Sequence, residues 1–419
     1  MNTKVFEQYE SEVRSYCRKF PEVFVSSKGA YIKGESGRDY LDFFCGAGAL
    51  NYGHNHPHVQ KQVVEYLMSD GIIHALDMYT VAKREFLETF QEKVLKPRNL
   101  DYKVQFPGPT GTNAVEAALK LARKVKGRRT VMGLMGCFHG MTLGSLALTC
   151  ERDARAGAGV PLNDVIHVPA PYMFPELDTI DYVDRILSDD HSGIELPAAF
   201  ILETVQAEGG IQVFSVDFLK RLRALCDKHD MLLIVDDIQV GCGRTGNFFS
   251  FERAGIQPDI VTLSKSIGGL GLPLALTLFR PELDIWSPGE HNGTFRGNQV
   301  AFVAAKAAIE VMTNEGLDAN VRENEAVLRE GLEKIASVDE RLQVRGIGYI
   351  WGIDCEGLGV DGFARKVICK CFDNGLICEL AGRKDAVVKI MPPLVADRET
   401  LEKGLAILEK SLGECLAEL

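Results

Sequence analysis

The chain has 419 residues, of which 46% are apolar and 25% charged, and it carries a formal charge of −11. That length accommodates two or more domains around a large core, and that composition is ordinary for a soluble globular protein. The acidic balance leaves no basic surplus for nucleic acid or an anionic membrane, so neither is an expected partner.

The segment Met1–Tyr16 mixes charges without an apolar core, unlike a signal peptide. No uninterrupted apolar stretch is long enough to span a bilayer. Ala30–Phe44 is predicted to be a hairpin, with its polar turn at Gly34–Gly37. Next comes His54-Asn55-His56-Pro57-His58, a run that resembles a metal-ligand set. Alternate residues share a face only in a strand, and Pro57 opposes a strand while suiting a helix start. Gly53 and His54 are therefore expected to form a turn, and no metal is expected.

Further along, Val115, Ala118, Leu119 and Ala122 fall on one face of a helix predicted over 114–124. The loop Gly108-Pro109-Thr110-Gly111-Thr112-Asn113 leads into it, with Thr112 or Asn113 as the cap. Glycines before a helix let backbone N–H groups approach an anion, and the helix dipole adds attraction. The loop reads either as a phosphate cradle or as a plain turn. It lacks both the P-loop ending and the dinucleotide glycine spacing.

A strand-like run, 130–135, delivers Phe138-His139-Gly140. Phe138 is either a stacking partner for a flat heterocycle or a core residue. Apolar runs at 198–202, 232–235 and 260–263 alternate with helical patterns such as Phe218, Leu219, Leu222, Leu225 and Cys226. This alternation predicts an α/β fold with a mainly parallel sheet covered by helices on both faces. Ligands gather at the carboxyl ends of such strands. Glu203, Asp236 and Lys265 each lie at or just past such an end.

An ionised carboxylate at the end of a buried strand needs a partner, and a pyridinium N–H would be one. Asp237 reads as a helix cap. Gln239 could donate to a phenolic oxygen. A lysine near that aspartate suits pyridoxal phosphate: Lys265 would form a Schiff base with the aldehyde. A free lysine titrates near about 10.4, so burial and nearby positive charge must lower it. The polar loop His291–Asn298 carries Thr294, whose hydroxyl and backbone N–H could bind phosphate.

Eleven cysteines are scattered along the chain. Cys369, Cys371 and Cys378 form the closest cluster, with spacing ill suited to zinc. Reduced thiols in a cytoplasmic protein are the expectation. Residues 1–60 and 305–419 are expected to pack together as a smaller α+β domain, beside a large domain spanning 61–304.

These motifs occur in an order that resembles the class III (subgroup II) pyridoxal-phosphate-dependent aminotransferases. They are Thr110–Ala118, Phe138–Gly140, Glu203–Gly210, Asp236–Gln239, Gly243–Gly246, Leu263–Lys265 and Gly293–Phe295. Gly108–Asn113, Val235–Gln239 and Gly289–Asn298 are together similar to the diaminobutyrate–2-oxoglutarate group, particularly the members of ectoine biosynthesis. The resemblance implies fold-type I and a homodimer, or dimer of dimers, with active sites at the subunit interface. It implies Lys265 as the catalytic lysine and Asp236 at the pyridine nitrogen. Phe138 would stack on the ring with His139 beside it, and Gln239 would contact the phenolic oxygen. Gly111 and Thr112 would hold the phosphate, joined by Thr294 of the neighbouring subunit.

Glu208 matches a glutamate that, in relatives, pairs with an arginine to switch between amine and acid substrates. Here Lys389 stands where that arginine is often found, just before Pro392-Pro393-Leu394. A lysine is a point charge without the planar fork that grips a carboxylate, and Arg383 is a nearby substitute. The expected reaction transfers an amino group from L-glutamate to L-aspartate 4-semialdehyde. The alternatives are another ω-amino compound of secondary metabolism and an aminomutase of the glutamate-1-semialdehyde type.

Overall fold

A computed structural model of the chain describes residues 3–419. Its centre is a seven-stranded sheet. In spatial order the strands are Lys103–Gln105, Leu276–Phe279, Ile260–Leu263, Leu232–Asp236, Ala199–Leu202, Val131–Leu134 and Val165–Val168. Neighbours from Ile260–Leu263 to Val165–Val168 pair in parallel, and Leu276–Phe279 runs antiparallel to both of its neighbours. Burial explains why these strands read as continuous apolar runs. Every residue of Val131–Leu134, Ala199–Leu202, Leu232–Asp236 and Ile260–Leu263 is buried, so neither face needs polar alternation.

Helices cover both faces. In Gly111–Lys126 the buried residues include Val115, Ala118, Leu119 and Ala122, the face expected from their spacing. Each fully buried Val or Leu there contributes about 1.5–3 kcal/mol. The helix begins earlier than the sequence suggests. Its N-cap is Thr110, not Thr112 or Asn113, because the Asn113 side chain reaches back to accept from the Thr110 N–H at 3.3 Å and from its hydroxyl at 2.7 Å. It ends at Gly127, whose φ of +63° suits a glycine.

The two chain ends meet in a second sheet. Phe24–Lys28, Tyr31–Gly34 and Asp39–Asp42 form an antiparallel series, and Leu376–Ile377 adds in parallel beside Leu41 and Asp42. The predicted hairpin is thus present, with one further strand before it. A third, antiparallel sheet follows the order Gln343–Ile347, Ile350–Asp354, Val387–Ile390, Glu379–Ala381. One apolar cluster joins Leu41, Phe43 and Tyr52 to Leu376, Val388 and Leu412.

The helix Gln299–Asn314 faces two ways. Ala304, Ala307 and Ala308 enter that cluster, while Ala301, Phe302 and Ala305 pack under the central sheet. Fully buried Arg244 adds a polar tie between the parts. It donates to the carbonyls of Tyr349, at 2.9 Å, and Pro392, and to the Asn51 side chain. Among the described residues no helix is long and apolar enough to cross a membrane.

Candidate active site

The parallel strands deliver their chemistry to one edge of the sheet. Asp236 is the last residue of its strand and lies opposite Thr262. Lys265 and Glu203 follow the ends of the strands on either side. A cavity of about 180 Å³ opens there, lined by Lys265, Asp236, Phe138, His139, Glu208 and Gln239 among others.

Lys265 has φ +54°, in the left-handed region that a non-glycine residue occupies at a cost. Its neighbours hold it there. The Ser264 hydroxyl donates to the Leu274 carbonyl at 2.9 Å. The Ser266 hydroxyl donates to the Gly48 carbonyl at 2.7 Å and accepts from the Asn51 N–H at 3.1 Å. Among the described residues, no hydrogen bond or ion pair closes on the Lys265 amine. Burial lowers its pKa; Glu208 opposes that and Lys389 adds to it. A lowered amine is what a nucleophilic lysine requires.

Asp236 is buried and well held. Its Oδ2 pairs with His139 Nδ1 at 2.7 Å, and its Oδ1 accepts from the Thr262 hydroxyl at 3.0 Å and the Ile238 N–H at 3.2 Å. Burial works to lower the His139 pKa, but the hydrogen bond to Asp236 and that carboxylate's charge help raise it overall. Glu203 reaches the same cavity. Its Oε1 accepts from the Phe138 N–H at 3.0 Å and so positions the ring, while burial pushes its carboxyl up to about 7. Asp237 caps no helix of its own. It accepts from the Ser250 N–H at 2.9 Å and from that hydroxyl, and burial lifts it to about 7.

Gly111 and Thr112 form the N-terminus of the helix Gly111–Lys126 and line the cavity. A Cβ on Gly111 would lie 3.0 Å from Ile238, so the close approach there favours glycine. The Thr112 hydroxyl lies 2.6 Å from those of Thr142 and Ser145, neither of which the sequence singled out. Exposed N–H groups, a helix dipole and hydroxyls make a site for a phosphate.

The other side of the cavity is ionic. Lys389, fully buried, lies 2.7 Å from Glu208 and 2.8 Å from Glu379. Glu379 and Lys389 face each other across adjacent antiparallel strands. Burial opposes the Glu208 charge, yet Lys389 and Lys265 hold its carboxyl down at about 2. Glu208 Oε1 also accepts from Gln239 Nε2 at 3.0 Å. Glu379 escaped the sequence reading because only strand register brings it to Lys389.

Arg383 does not enter this cavity. It is exposed, with its guanidinium 5.5 Å from the Tyr172 ring, and it lines a larger neighbouring cavity of about 930 Å³ that shares Phe138 and Glu208. Thr294 also lies outside the cavity, on an exposed segment where its carbonyl accepts from His74 at 2.9 Å. His54, His56 and His58 turn to three separate carboxylates, those of Asp42, Glu315 and Glu310. They therefore do not form a metal set. Cys369 is exposed, whereas Cys371 and Cys378 are buried.

These residues fit pyridoxal phosphate. Lys265 brings an amine free of hydrogen-bond partners, Asp236 an anion at a strand end, and Gly111–Thr112 an anion cradle. Gln239 Oε1 and His139 Nε2 are buried without hydrogen-bond partners in the chain itself, which a polar ligand would relieve.

The class-III aminotransferase family matches residues 15–412. A diaminobutyrate–2-oxoglutarate transaminase of Halalkalibacterium halodurans is 55% identical over 411 residues, covering 97% of this chain and 96% of that protein. One from Wolinella succinogenes is 53% identical, covering 99% and 97%. Among solved structures, the ornithine aminotransferase of Toxoplasma gondii superposes with a TM-score of 0.87 at 26% identity, over 99% of this chain and 94% of that one. A Bacillus anthracis aminotransferase gives 0.88 at 25% identity, over 99% and 100%.

Proposed function

The chain belongs to the pyridoxal-phosphate-dependent class-III aminotransferases, and from that premise we propose that it moves an amino group from L-glutamate to L-aspartate 4-semialdehyde. The products are L-2,4-diaminobutyrate and 2-oxoglutarate. The observation that carries the chemistry is the free Lys265 amine in a cavity with Asp236. The substrate pair draws support from relatives of that activity at more than half identity over nearly the whole chain.

When bound, pyridoxal phosphate supplies an electron sink for the carbon that loses its proton. The chain's residues supply the rest. Lys265 accepts and returns the proton as general base and acid. Asp236, oriented by His139 and Thr262, would hold a protonated ring nitrogen. Phe138, positioned through Glu203, would stack on the ring.

Glu208 and Lys389 distinguish the two substrates. With Glu208 on Lys389, the cation is covered and an uncharged substrate end is accommodated. If Glu208 moves aside, Lys389 is left facing a carboxylate of glutamate. As a point charge it binds less directionally than an arginine, and Arg383 at the outer mouth contributes the planar fork.

The active form is proposed to be a homodimer, with Thr294 of each chain completing the phosphate site of the other. Exposed Met141 and Leu143, which flank Thr142 beside the Thr112 hydroxyl, and exposed Phe295, next to Thr294, support this as large apolar side chains.

The test incubates the holoenzyme with glutamate and aspartate 4-semialdehyde. Diaminobutyrate and 2-oxoglutarate should appear in equal amounts. Absence of diaminobutyrate, with turnover on another ω-amino pair, would refute the substrate assignment. Isomerisation of a single substrate without an acceptor would make the enzyme an aminomutase instead.

A further inference from the structure

We infer that Cys137, Cys150 and His167 form a binding site for a thiophilic divalent cation such as Zn²⁺, beside the entrance to the active site. The three residues come from different elements. Cys137 follows the strand Val131–Leu134, Cys150 follows the helix Leu143–Leu148, and His167 sits in the neighbouring strand Val165–Val168. Their ligand atoms all lie within 4.8 Å of one another.

The geometry suits a tetrahedral ion. The two sulfurs are 3.8 Å apart. Zinc–thiolate bonds of about 2.3 Å at a tetrahedral angle place two sulfurs about 3.8 Å apart. The imidazole is oriented from behind, since His167 Nε2 donates to the Leu148 carbonyl at 2.7 Å. That fixes the tautomer and leaves Nδ1 as a donor atom, the outer-sphere arrangement of a metal-binding histidine. The same carbonyl accepts from the Cys137 thiol at 3.0 Å, and the Cys150 N–H donates to the Cys137 carbonyl at 2.9 Å. The Cys137 thiol and the Cys150 backbone are therefore held in register before any ion arrives.

Binding would displace the protons of both thiols and any proton on the ligating nitrogen of His167.

The fourth coordination position opens into the 930 Å³ cavity, which all three residues line together with Glu151 and Arg383. Such a position takes water or a substrate carboxylate. Cys137 also precedes Phe138, so an ion here would restrict both the ring-positioning loop and the passage to Glu208. Reversible inhibition by zinc is the functional consequence.

The test uses reduced holoenzyme in which exposed Cys17 and Cys369 are changed to serine. Cd²⁺ is titrated in as the spectroscopic probe, and Zn²⁺ is measured by competition with a chromophoric chelator. One ion per chain is expected, with a thiolate-to-cadmium charge-transfer band and release of protons. Cys150→Ser and His167→Asn, which remove direct ligands, should each weaken binding by at least the ~10–100-fold that loss of an outer-sphere partner costs. In the otherwise native chain, zinc should protect Cys150 from alkylation, a readout that needs no variant at the site. The inference fails if no ion binds, if both variants bind as tightly as the parent, or if zinc gives no protection. It also fails if the two thiols form a disulfide that, once reduced, takes up no metal.

Discussion

The two ends of the cavity are built differently. At the Lys265 end, titratable groups sit at strand tips, and the carboxyl groups of Glu203 and Asp236 are held by backbone N–H groups, a hydroxyl and His139. Asp236 alone accepts from Thr262 and Ile238 and pairs with His139. At the Glu208 end, a cation is buried between two carboxylates, and the partners Glu208 and Lys389 are 181 residues apart. The first arrangement is held rigid by local hydrogen bonds. The second depends on ions that compensate one another, and under the proposed function it is the part that changes partners when a charged substrate enters.

That contrast can be broken from either side. The largest effect is expected at the rigid end. Lys265→Ala should lower kcat by about 10⁴-fold, the upper range for a lost general acid–base group, without lowering the unfolding midpoint. Single-turnover kinetics and a thermal melt check both halves of that statement.

At the ionic end the order should reverse, with stability suffering first. Lys389→Met leaves Glu208 and Glu379 without their shared cation. Breaking a buried ion pair costs about 3–5 kcal/mol, measurable by denaturant unfolding. Adding Glu379→Gln should restore part of the loss. If Lys389→Met unfolds like the parent, the triad is not the buried compensating unit that the geometry describes.

Asp236→Asn should act on chemistry with little change in fold. The carboxylate that favours a protonated ring nitrogen is lost while the shape is kept, so kcat should fall by about 10²-fold. KM for glutamate should change far less than it does in Glu208→Gln, which disturbs the ionic end.

The smallest effect concerns pH. Asp237 holds its proton up to about 7 in the folded chain, whereas an unfolded aspartate releases it near about 3.9. Between those values the folded state binds more protons, so this group makes stability fall as pH rises. Asp237→Asn should flatten that part of the unfolding-midpoint profile. Glu208, held down at about 2, acts in the opposite sense: its contribution is present above about 4.3 and is lost as pH falls toward 2.

The same division decides what could be read from the sequence. The central sheet was legible because strands buried on both faces must be apolar throughout, as Leu232–Asp236 and Ile260–Leu263 are. Asp236 and Lys265 then stood out as charges at the ends of apolar runs. The cap at Thr110 was misplaced by two or three residues because a side chain folding back from Asn113 has no one-dimensional signature. Glu379 had no signal at all, since its role follows from the register that sets it against Lys389. Cys137, Cys150 and His167 share no motif spacing, and only the packing of a strand, a helix end and a neighbouring strand gathers them. Local chemistry at strand ends is written in sequence, whereas compensation between distant charges is written in topology.

The most direct test of the account is a half-reaction. Holoenzyme is mixed with L-glutamate in the absence of any acceptor, and 2-oxoglutarate is counted per chain. The account predicts one equivalent, then arrest, then release of diaminobutyrate when aspartate 4-semialdehyde is added. Absence of 2-oxoglutarate, or its continued production without an acceptor, would contradict it.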